Sequence, residues 1–121
     1  MADHPVLHIE FSAADRVAAG EFYRDLFGWE VVQMPEMNYA TFSTGEEPGG
    51  GFNPISEENP PGTVIAYIGT DDIDASLAKA EALGGKKLMP KTEIPETGWV
   101  GLFSDPTGNI VGLYTPLQRA S

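Results

Sequence analysis

The chain has 121 residues, of which 41% are apolar and 21% charged, the composition of one globular domain or of two small modules that share a core. It has no cysteine, which excludes disulfides, thiolate metal sites and a cysteine nucleophile. The formal net charge of −11, with no Lys or Arg between Arg24 and Lys79, argues against a nucleic-acid partner. Neither a signal-peptide pattern nor an apolar run of about 20 residues is visible, so we expect a cytoplasmic protein without a membrane partner.

The chain opens with a strand pattern. Leu7, Ile9 and Phe11 alternate with His8 and Glu10. This period of two predicts a strand whose apolar side chains pack on a helix, while His8 and Glu10 point to the opposite face.

A helix is predicted to follow this strand. It starts at the Ser-x-x-acid sequence of residues 12–15, and Gly28 is a natural residue to end it. Its apolar residues repeat at four-residue spacing at Ala18, Phe22 and Leu26. The later strands of this half are predicted at 29–34, at 39–44 and around Phe52.

The second half repeats the same order. A strand at 64–68 precedes possible helix caps at 70–72, and Ile73, Leu77 and Ala80 mark the apolar stripe of a helix. Three more strands are predicted at 86–89, where Pro90 ends the strand, at 99–104 and at 110–114. Both halves therefore read as βαβββ. We predict one domain over 1–121, with modules at about 5–54 and 64–117 and a polar, proline-rich linker at about 55–63.

The repeat predicts an α+β fold in which the two modules form a curved, barrel-like mixed sheet with the helices outside. His8 and Glu10 would then line the concave face, and the repeat places Ile65 and Tyr67 at the matching positions. Gly50 and Gly112 are predicted to match each other in the closing strands of the two modules. A glycine in such a strand indicates a bulge, a close backbone approach or room in a cavity.

Two further motifs carry a resemblance that covers about residues 5–117. They are Glu21–Trp29 after the first strand and the turn Asp105–Asn109 before the last. In their order and spacing, the chain resembles the vicinal oxygen chelate superfamily, which groups glyoxalase I, bleomycin-resistance proteins and extradiol dioxygenases. It is most similar to small members described as related to lactoylglutathione lyase. The resemblance implies a glyoxalase-like fold and a homodimer.

The resemblance also implies where a metal ion would bind. Metal-dependent members take His and Glu ligands from the first and closing strands of each module, and carried over by spacing these positions fall on His8, Ile65, Gly50 and Gly112. Only His8 can coordinate a metal. We therefore predict no metal cofactor, and we do not expect glyoxalase I activity itself.

A rebuilt metal site is an alternative. His8 and Glu10 would supply two ligands, and Glu46, Glu47 or Asp105 would supply a third. Two ligands seldom make a catalytic site, which usually needs three and an open position.

Each candidate site residue can be interpreted as functional or as purely structural. His8 and Glu10 are predicted to act as an acid–base pair, against the alternatives of a packing histidine and a solvated edge carboxylate. Aromatic and sulfur side chains are predicted to line a pocket for a small organic ligand, against the alternative that they are ordinary core residues. This predicted ligand-binding set is Phe52, Tyr67, Met89, Trp99 and Tyr114.

Three functions remain open from the sequence. The first is a glyoxalase-like small-molecule-binding protein that acts as a lyase or isomerase through His8 and Glu10. The second is a non-catalytic, bleomycin-resistance type of protein that sequesters a cationic ligand at its acidic surface. The third is a divalent-metal-dependent lyase or dioxygenase with the rebuilt site.

Overall fold

A computed structural model describes residues 4–117 as an α+β chain of two βαβββ modules. The first module contains β1 (Val6–Ala13), α1 (Arg16–Phe27), β2 (Glu30–Met34), a 3₁₀ turn (Pro35–Met37), β3 (Tyr39–Ser43) and β4 (Gly49–Pro54). The second contains β5 (Val64–Gly69), α2 (Ile73–Ala82), β6 (Lys86–Ile94), β7 (Gly98–Ser104) and β8 (Ile110–Pro116). The α+β class and the two βαβββ modules are confirmed.

Each module builds its own four strands. The strand order is β2-β3-β4-β1 in the first module and β5-β8-β7-β6 in the second. In each case the first strand of the module pairs in parallel with its last, β1 with β4 and β5 with β8. By their contacts, residues 7–66 form one compact unit, and residues 4–6 with 67–117 form another. No helix within the described residues has both the length and the apolar character to cross a membrane.

The alternation in β1 has the predicted effect. Phe11 packs against the buried core of the first module, where its ring lies 5.7 Å from that of Tyr23 on α1. In the parallel register Glu10 pairs with Gly51 and Phe11 with Phe52. Because successive strand residues point to opposite faces, His8 and Glu10 lie on the face away from α1.

The N-terminus of α1 differs from the prediction. Ser12 is still part of β1, and Asp15 is itself the N-cap, accepting hydrogen bonds from the backbone N–H groups of Val17 and Ala18 at 3.0 Å. The acidic residue therefore satisfies free backbone donors directly rather than closing a capping box. The predicted end is confirmed, since Gly28 caps the helix in the left-handed conformation with φ of 76°.

The apolar stripe of α1 lies on the solvent side of the helix. Ala18 is exposed, and Phe22 and Leu26 keep 59% and 56% of their surface accessible. The helix packs instead through Ala19, Gly20 and Tyr23. Gly20 is buried, and a Cβ there would lie 2.8 Å from Cγ1 of Val31, so the missing side chain lets α1 approach β2 closely.

The second helix follows the sequence pattern. Asp72 caps α2 by accepting from the backbone N–H of Ala75 at 3.0 Å. Ile73 and Leu77 are 1% and 3% exposed and pack with Leu113 of β8 as the core of the second module.

The edge strand β6 is longer than predicted. It continues past Pro90 to Ile94, with irregular register between Lys87 and Thr92. Proline is tolerated there because an edge strand has one side without ladder hydrogen bonds.

Candidate functional site

The predicted acid–base pair is joined by a third residue. Nε2 of His8 lies 2.8 Å from the hydroxyl oxygen of Tyr39, and that hydroxyl donates to Oε2 of Glu10 at 2.9 Å. The three side chains form a continuous hydrogen-bonded chain on one face of the first module. The structure thus brings His8 and Glu10 together, and it adds Tyr39, which sequence reasoning missed.

Strand register brings Tyr39 to this site. In β3, Ala40 and Phe42 are buried on the α1 side, so the neighbouring Tyr39 belongs to the face of His8 and Glu10. Gly51 of β4 makes room for it, since a Cβ on Gly51 would overlap the Tyr39 hydroxyl. The alternation of apolar and polar residues in 39–43 was the available signal for Tyr39.

Burial shapes the electrostatics of the site. Glu10 is only 9% exposed, and His8 is half-buried. Burial penalises the charged imidazolium and lowers the pKa of His8 below its ordinary value of 6.5. His8 is therefore mainly neutral at pH 7, the state in which it can accept a proton.

His8 borders an open cleft of about 410 Å³. Thr41 and Ser43 of β3 contribute to its wall, and Glu46 and Glu47 lie in the exposed loop between β3 and β4. The volume falls in the range of small-molecule sites. His8 thus connects a cleft of ligand size to the more deeply buried Glu10.

Of the four positions at which the resemblance implies metal ligands, only His8 carries a side chain that can coordinate a metal ion. Within residues 4–117, no group of three or more His, Cys, Asp or Glu side chains is placed to hold a metal ion. The carboxylate of Asp105, one of the ligands named for a rebuilt site, accepts hydrogen bonds from backbone N–H groups of its own turn, at Thr107, Gly108 and Asn109. These contacts lower the pKa of Asp105, with the side chain of Asn109 as the largest cause.

The matching glycine of the first module is Gly51 rather than the predicted Gly50. Gly51 pairs with Glu10, as Gly112 pairs with Tyr67. Gly50 lies on the other face, where a Cβ would overlap the ring of Phe42. Because residues 49–51 are all glycine, the sequence alone does not show which of them matches Gly112, whereas the strand register does.

The five predicted ligand-binding residues do not share one face. Phe52 is fully buried in the core of the first module, on the α1 side of β4. Trp99 packs against the α2 core of the second module, and the Lys91 ammonium lies 5.4 Å from its ring centre. Phe52 and Trp99 thus lie on the helix-facing sides of their modules, where Phe52 also lines a cavity of about 350 Å³, and ligand binding by these two residues stays a prediction.

The other three residues lie on the face of the second module away from α2. Gly112 of β8 pairs with Tyr67 on one side and with Leu102 on the other. Met89 pairs with Leu102, and Tyr114 lies two residues after Gly112 in β8, so that all three predicted residues share this face. The Tyr114 hydroxyl donates to the carbonyl of Thr97 at 3.2 Å, and burial raises its pKa. Ligand binding by Tyr67, Met89 and Tyr114 stays a prediction.

Sequence relatives bear glyoxalase and biosynthetic names. The chain is 31% identical over 113 residues to "Putative glyoxylase CFP32" of Mycobacterium bovis, a match that covers 88% of this chain and 43% of that protein. It is 29% identical over 118 residues to "Anthracycline biosynthesis protein DnrV" of Streptomyces peucetius, covering 82% and 42%. The chain thus spans less than half the length of these relatives.

Solved structures share the fold at low sequence identity. Methylmalonyl-CoA epimerase from Mycobacterium tuberculosis superposes with a TM-score of 0.70 at 16% identity, over 98% of this chain and 93% of that one. The Mn(II)-bound glyoxalase from Novosphingobium aromaticivorans gives a TM-score of 0.68 at 19% identity, over 98% and 42%. A glyoxalase/bleomycin resistance protein/dioxygenase superfamily member from Vibrio splendidus gives 0.67 at 16% identity, over 93% and 98%.

The family assignment follows from the length of the matching segment. The glyoxalase-like domain matches residues 8–113, from His8 in β1 to Leu113 in β8, and so includes the whole hydrogen-bonded chain of the candidate site. The chain belongs to the glyoxalase-like domain family.

Proposed function

We propose that the chain is a small-molecule-binding glyoxalase-like protein that acts as a lyase or isomerase, with His8 and Glu10 as its acid–base groups. One observation carries the proposal, which is that His8 and Glu10 hydrogen-bond to the same Tyr39 hydroxyl beside a cleft. A base that is itself oriented by a second polar group is the arrangement that proton-transfer enzymes use.

The charges support this division of roles. A neutral His8 accepts a proton from a substrate carbon in the cleft and becomes an imidazolium. The buried carboxylate of Glu10, two hydrogen bonds away, stabilises that positive charge through the Tyr39 hydroxyl. Return of the proton to the same or a neighbouring carbon completes an isomerisation. No step in this scheme needs a metal ion.

Proton exchange tests the proposal directly. We would incubate the protein in D₂O with compounds whose C–H is acidified by a carbonyl group, including methylmalonyl-CoA and lactoyl thioesters. We expect His8-dependent incorporation of deuterium at the carbon next to the carbonyl, lowered about 100-fold or more in His8→Asn. His4→Asn is the matched control, since the chain has only two histidines. Equal exchange by the wild type and His8→Asn on every compound would contradict the proposal.

A sequestering function of the bleomycin-resistance type is the second candidate. It is favoured by the exposed carboxylates Glu46 and Glu47 in the loop at the cleft, by the net charge of −11, and by the relative named for anthracycline biosynthesis. Binding of a cationic anthracycline would then weaken steeply with ionic strength, and more so in the wild type than in a Glu46→Gln/Glu47→Gln variant. Salt-independent binding, or none, would contradict this candidate.

Metal dependence has its own test. Metal-stripped protein would be heated with Ni²⁺, Mn²⁺, Zn²⁺ or Fe²⁺ beside a His8→Ala variant. A bound metal raises the unfolding midpoint in proportion to the logarithm of its concentration, by mass action. We expect no rise that depends on His8, and a His8-dependent rise would restore the metal-dependent lyase or dioxygenase.

A homodimer is also part of the proposal. The exposed Phe22 and Leu26 on α1 support it, because such side chains usually lie in an interface when they form a patch. Light scattering of the wild type should give twice the chain mass and that of Phe22→Glu the chain mass, and a wild-type monomer would contradict it. The cytoplasmic location continues to rest on the sequence pattern alone.

A further inference from the structure

A second cavity of the first module lies near the end of β1. It has a volume of about 350 Å³ and lies between residues 11–14 of β1 and the turn after it, the middle of α1, and residues 62–64. All of these residues belong to the compact unit of residues 7–66. The cavity shares no lining residue with the cleft that His8 borders, so the two are separate.

Aromatic rings make up much of the wall of this cavity. The rings of Phe11 and Tyr23 lie 5.7 Å apart with 8° between their planes, and the ring of the fully buried Phe52 lies 6.1 and 5.6 Å from them. Phe22 and Val64 also belong to the wall and keep 59% and 54% of their surface accessible. The cavity is therefore aromatic on the inside and open to solvent.

Small side chains leave this space unfilled. Ala13, Ala14 and Ala19 occupy three positions of the wall, where larger apolar residues would close the cavity. At its edge, the backbone N–H of Ser12 donates to the carbonyl of Thr63 at 3.1 Å. This hydrogen bond holds the segment before β5 against the end of β1, so the wall is fixed by the fold of one unit.

The two cavities of the first module differ in charge. Among the described residues that line the aromatic cavity, none is charged, although charged residues make up 21% of the chain. The cleft at His8 has Glu46 and Glu47 in its wall. Because a charge is costly to move from water to an apolar wall, the aromatic cavity favours uncharged ligands.

Volume and ring geometry narrow the ligand further. An apolar cavity of about 150 Å³ is large enough to bind benzene, so this one has room for two fused rings. Aromatic pairs gain energy in stacked and edge-to-face arrangements, and the rings of Phe22 and Tyr23 are already edge-to-face at 5.1 Å. We propose that this cavity is a second binding site, for a small, uncharged, planar aromatic molecule. The inference goes beyond the proposed acid–base function and does not rest on it.

Methyl NMR tests the site in the wild-type protein. Protein labelled with ¹³C at the alanine methyl groups would be titrated with 2-naphthol. We expect saturable shifts of the methyl groups of the three wall alanines, with Ala75 and Ala80 of α2 as internal references that do not move. The cation 2-naphthylmethylammonium should bind there about tenfold or more weakly, even though the chain is acidic. No shift of the wall alanines, or equal shifts in both modules, would overturn the proposal.

A pair of neighbouring alanines supplies matched variants. Ala19→Leu fills the cavity from α1, and we expect it to weaken 2-naphthol binding about tenfold or more. Ala18→Leu makes the same change at the next position, which is exposed and outside the wall, and should bind like the wild type. Ala14→Leu, at an exposed position of the wall, is the second blocking variant if Ala19→Leu does not fold. Wild-type affinity in a folded blocking variant would show that 2-naphthol binds elsewhere.

A second copy of the chain is the competing occupant, because Phe22 belongs both to the cavity wall and to the exposed apolar patch of α1. Leu26→Glu alters that patch outside the wall. Binding of 2-naphthol to the Leu26→Glu protein but not to the wild type would mean that a second copy fills the cavity, and the proposal would be wrong.

The binding measurement and the proton-exchange assay can fail separately. His8→Asn should bind 2-naphthol like the wild type, since His8 is not part of the cavity. Binding at the wall alanines without proton exchange on any compound would keep this site and remove the proposed function. Exchange that depends on His8, without 2-naphthol binding, would keep the function and remove this site.

Discussion

In each module a glycine of the last strand leaves space for a tyrosine side chain, but the surroundings of the two tyrosines differ. In the first module Gly51 stands opposite Glu10 and makes room for Tyr39, which β3 supplies. In the second, Gly112 stands opposite Tyr67 and makes room for the ring of Tyr67 itself. The position of the carboxylate in one module is thus the position of an aromatic ring in the other. A closing-strand glycine therefore makes room for a tyrosine in both modules, and the hydrogen-bonded chain of His8, Tyr39 and Glu10 lies in the first.

The helices differ between the modules as well. In α2 the apolar stripe is buried, with Ile73 and Leu77 in the core. In α1 the corresponding stripe is exposed at Phe22 and Leu26, and the core beneath the helix is built from aromatic rings that include Tyr23 and Phe52. An aromatic core and a glycine-mediated helix contact in the first module thus replace the aliphatic stripe of the second.

Truncating each core should have the largest effect. Phe52→Ala removes a fully buried ring that lies within 6.1 Å of the Phe11, Tyr23 and Phe42 rings, and we expect it to lower the free energy of unfolding by about 3–5 kcal/mol. Leu77→Ala in the second module should cost about 2–5 kcal/mol. Urea denaturation measures both. A loss below about 1 kcal/mol for Phe52→Ala would mean that the aromatic core is not what stabilises the first module.

Filling the two glycine positions sharpens the comparison. Gly51→Ala and Gly112→Ala each force a Cβ against a tyrosine, so each should destabilise the protein by about 1–3 kcal/mol. The variants should differ at the site, because only Gly51→Ala displaces Tyr39. We expect Gly51→Ala to change the ¹⁵N NMR chemical shifts of the two His8 ring nitrogens. Gly112→Ala should leave these shifts unchanged. Equal effects of the two variants on His8 would contradict the separate roles assigned to the glycines.

The helix caps should behave alike in the two modules. Asp15→Ala removes a side chain that accepts two backbone hydrogen bonds, and Asp72→Ala removes one that accepts a single such bond. Each should cost about 1 kcal/mol in the free energy of unfolding, with the larger loss for Asp15→Ala. Asn at either position can still accept from the backbone, so Asp15→Asn and Asp72→Asn should recover most of the loss. No recovery would mean that the charge, and not the cap, matters.

Local patterns explain how far the sequence predicts this molecule. The alternation around His8 and Glu10 gave their face, because strand geometry has a period of two. The exposed side of α1 was not predictable in this way, since Phe22 is as apolar as a core residue and the close approach at Gly20 is a tertiary contact. Tyr39 was missed for a related reason. Its place beside His8 depends on the pairing of β3, β4 and β1, which brings together residues about 30 positions apart.

The smallest expected effect concerns His8 and its matching position Ile65, and it is a difference in how the free energy of unfolding depends on pH. His8 has a lowered pKa in the folded protein, whereas the matching Ile65 does not titrate. At pH values between the folded pKa and about 6.5, the unfolded chain binds more protons, so the free energy of unfolding rises with pH. The contribution of His8 is fully present above about 6.5 and is lost as the pH falls through the lowered folded pKa.

Replacing His8 with the residue of the second module tests this sign. His8→Ile should flatten the rise in unfolding free energy below about pH 6.5, which for one proton cannot exceed about 1.4 kcal/mol per pH unit. His4→Asn is the control, and the two variants are compared by the slope of unfolding free energy against pH. A slope is not affected by the constant loss of stability that the missing hydrogen bond to Tyr39 causes. An unchanged slope in His8→Ile would mean that a group other than His8 sets the acid sensitivity of the first module.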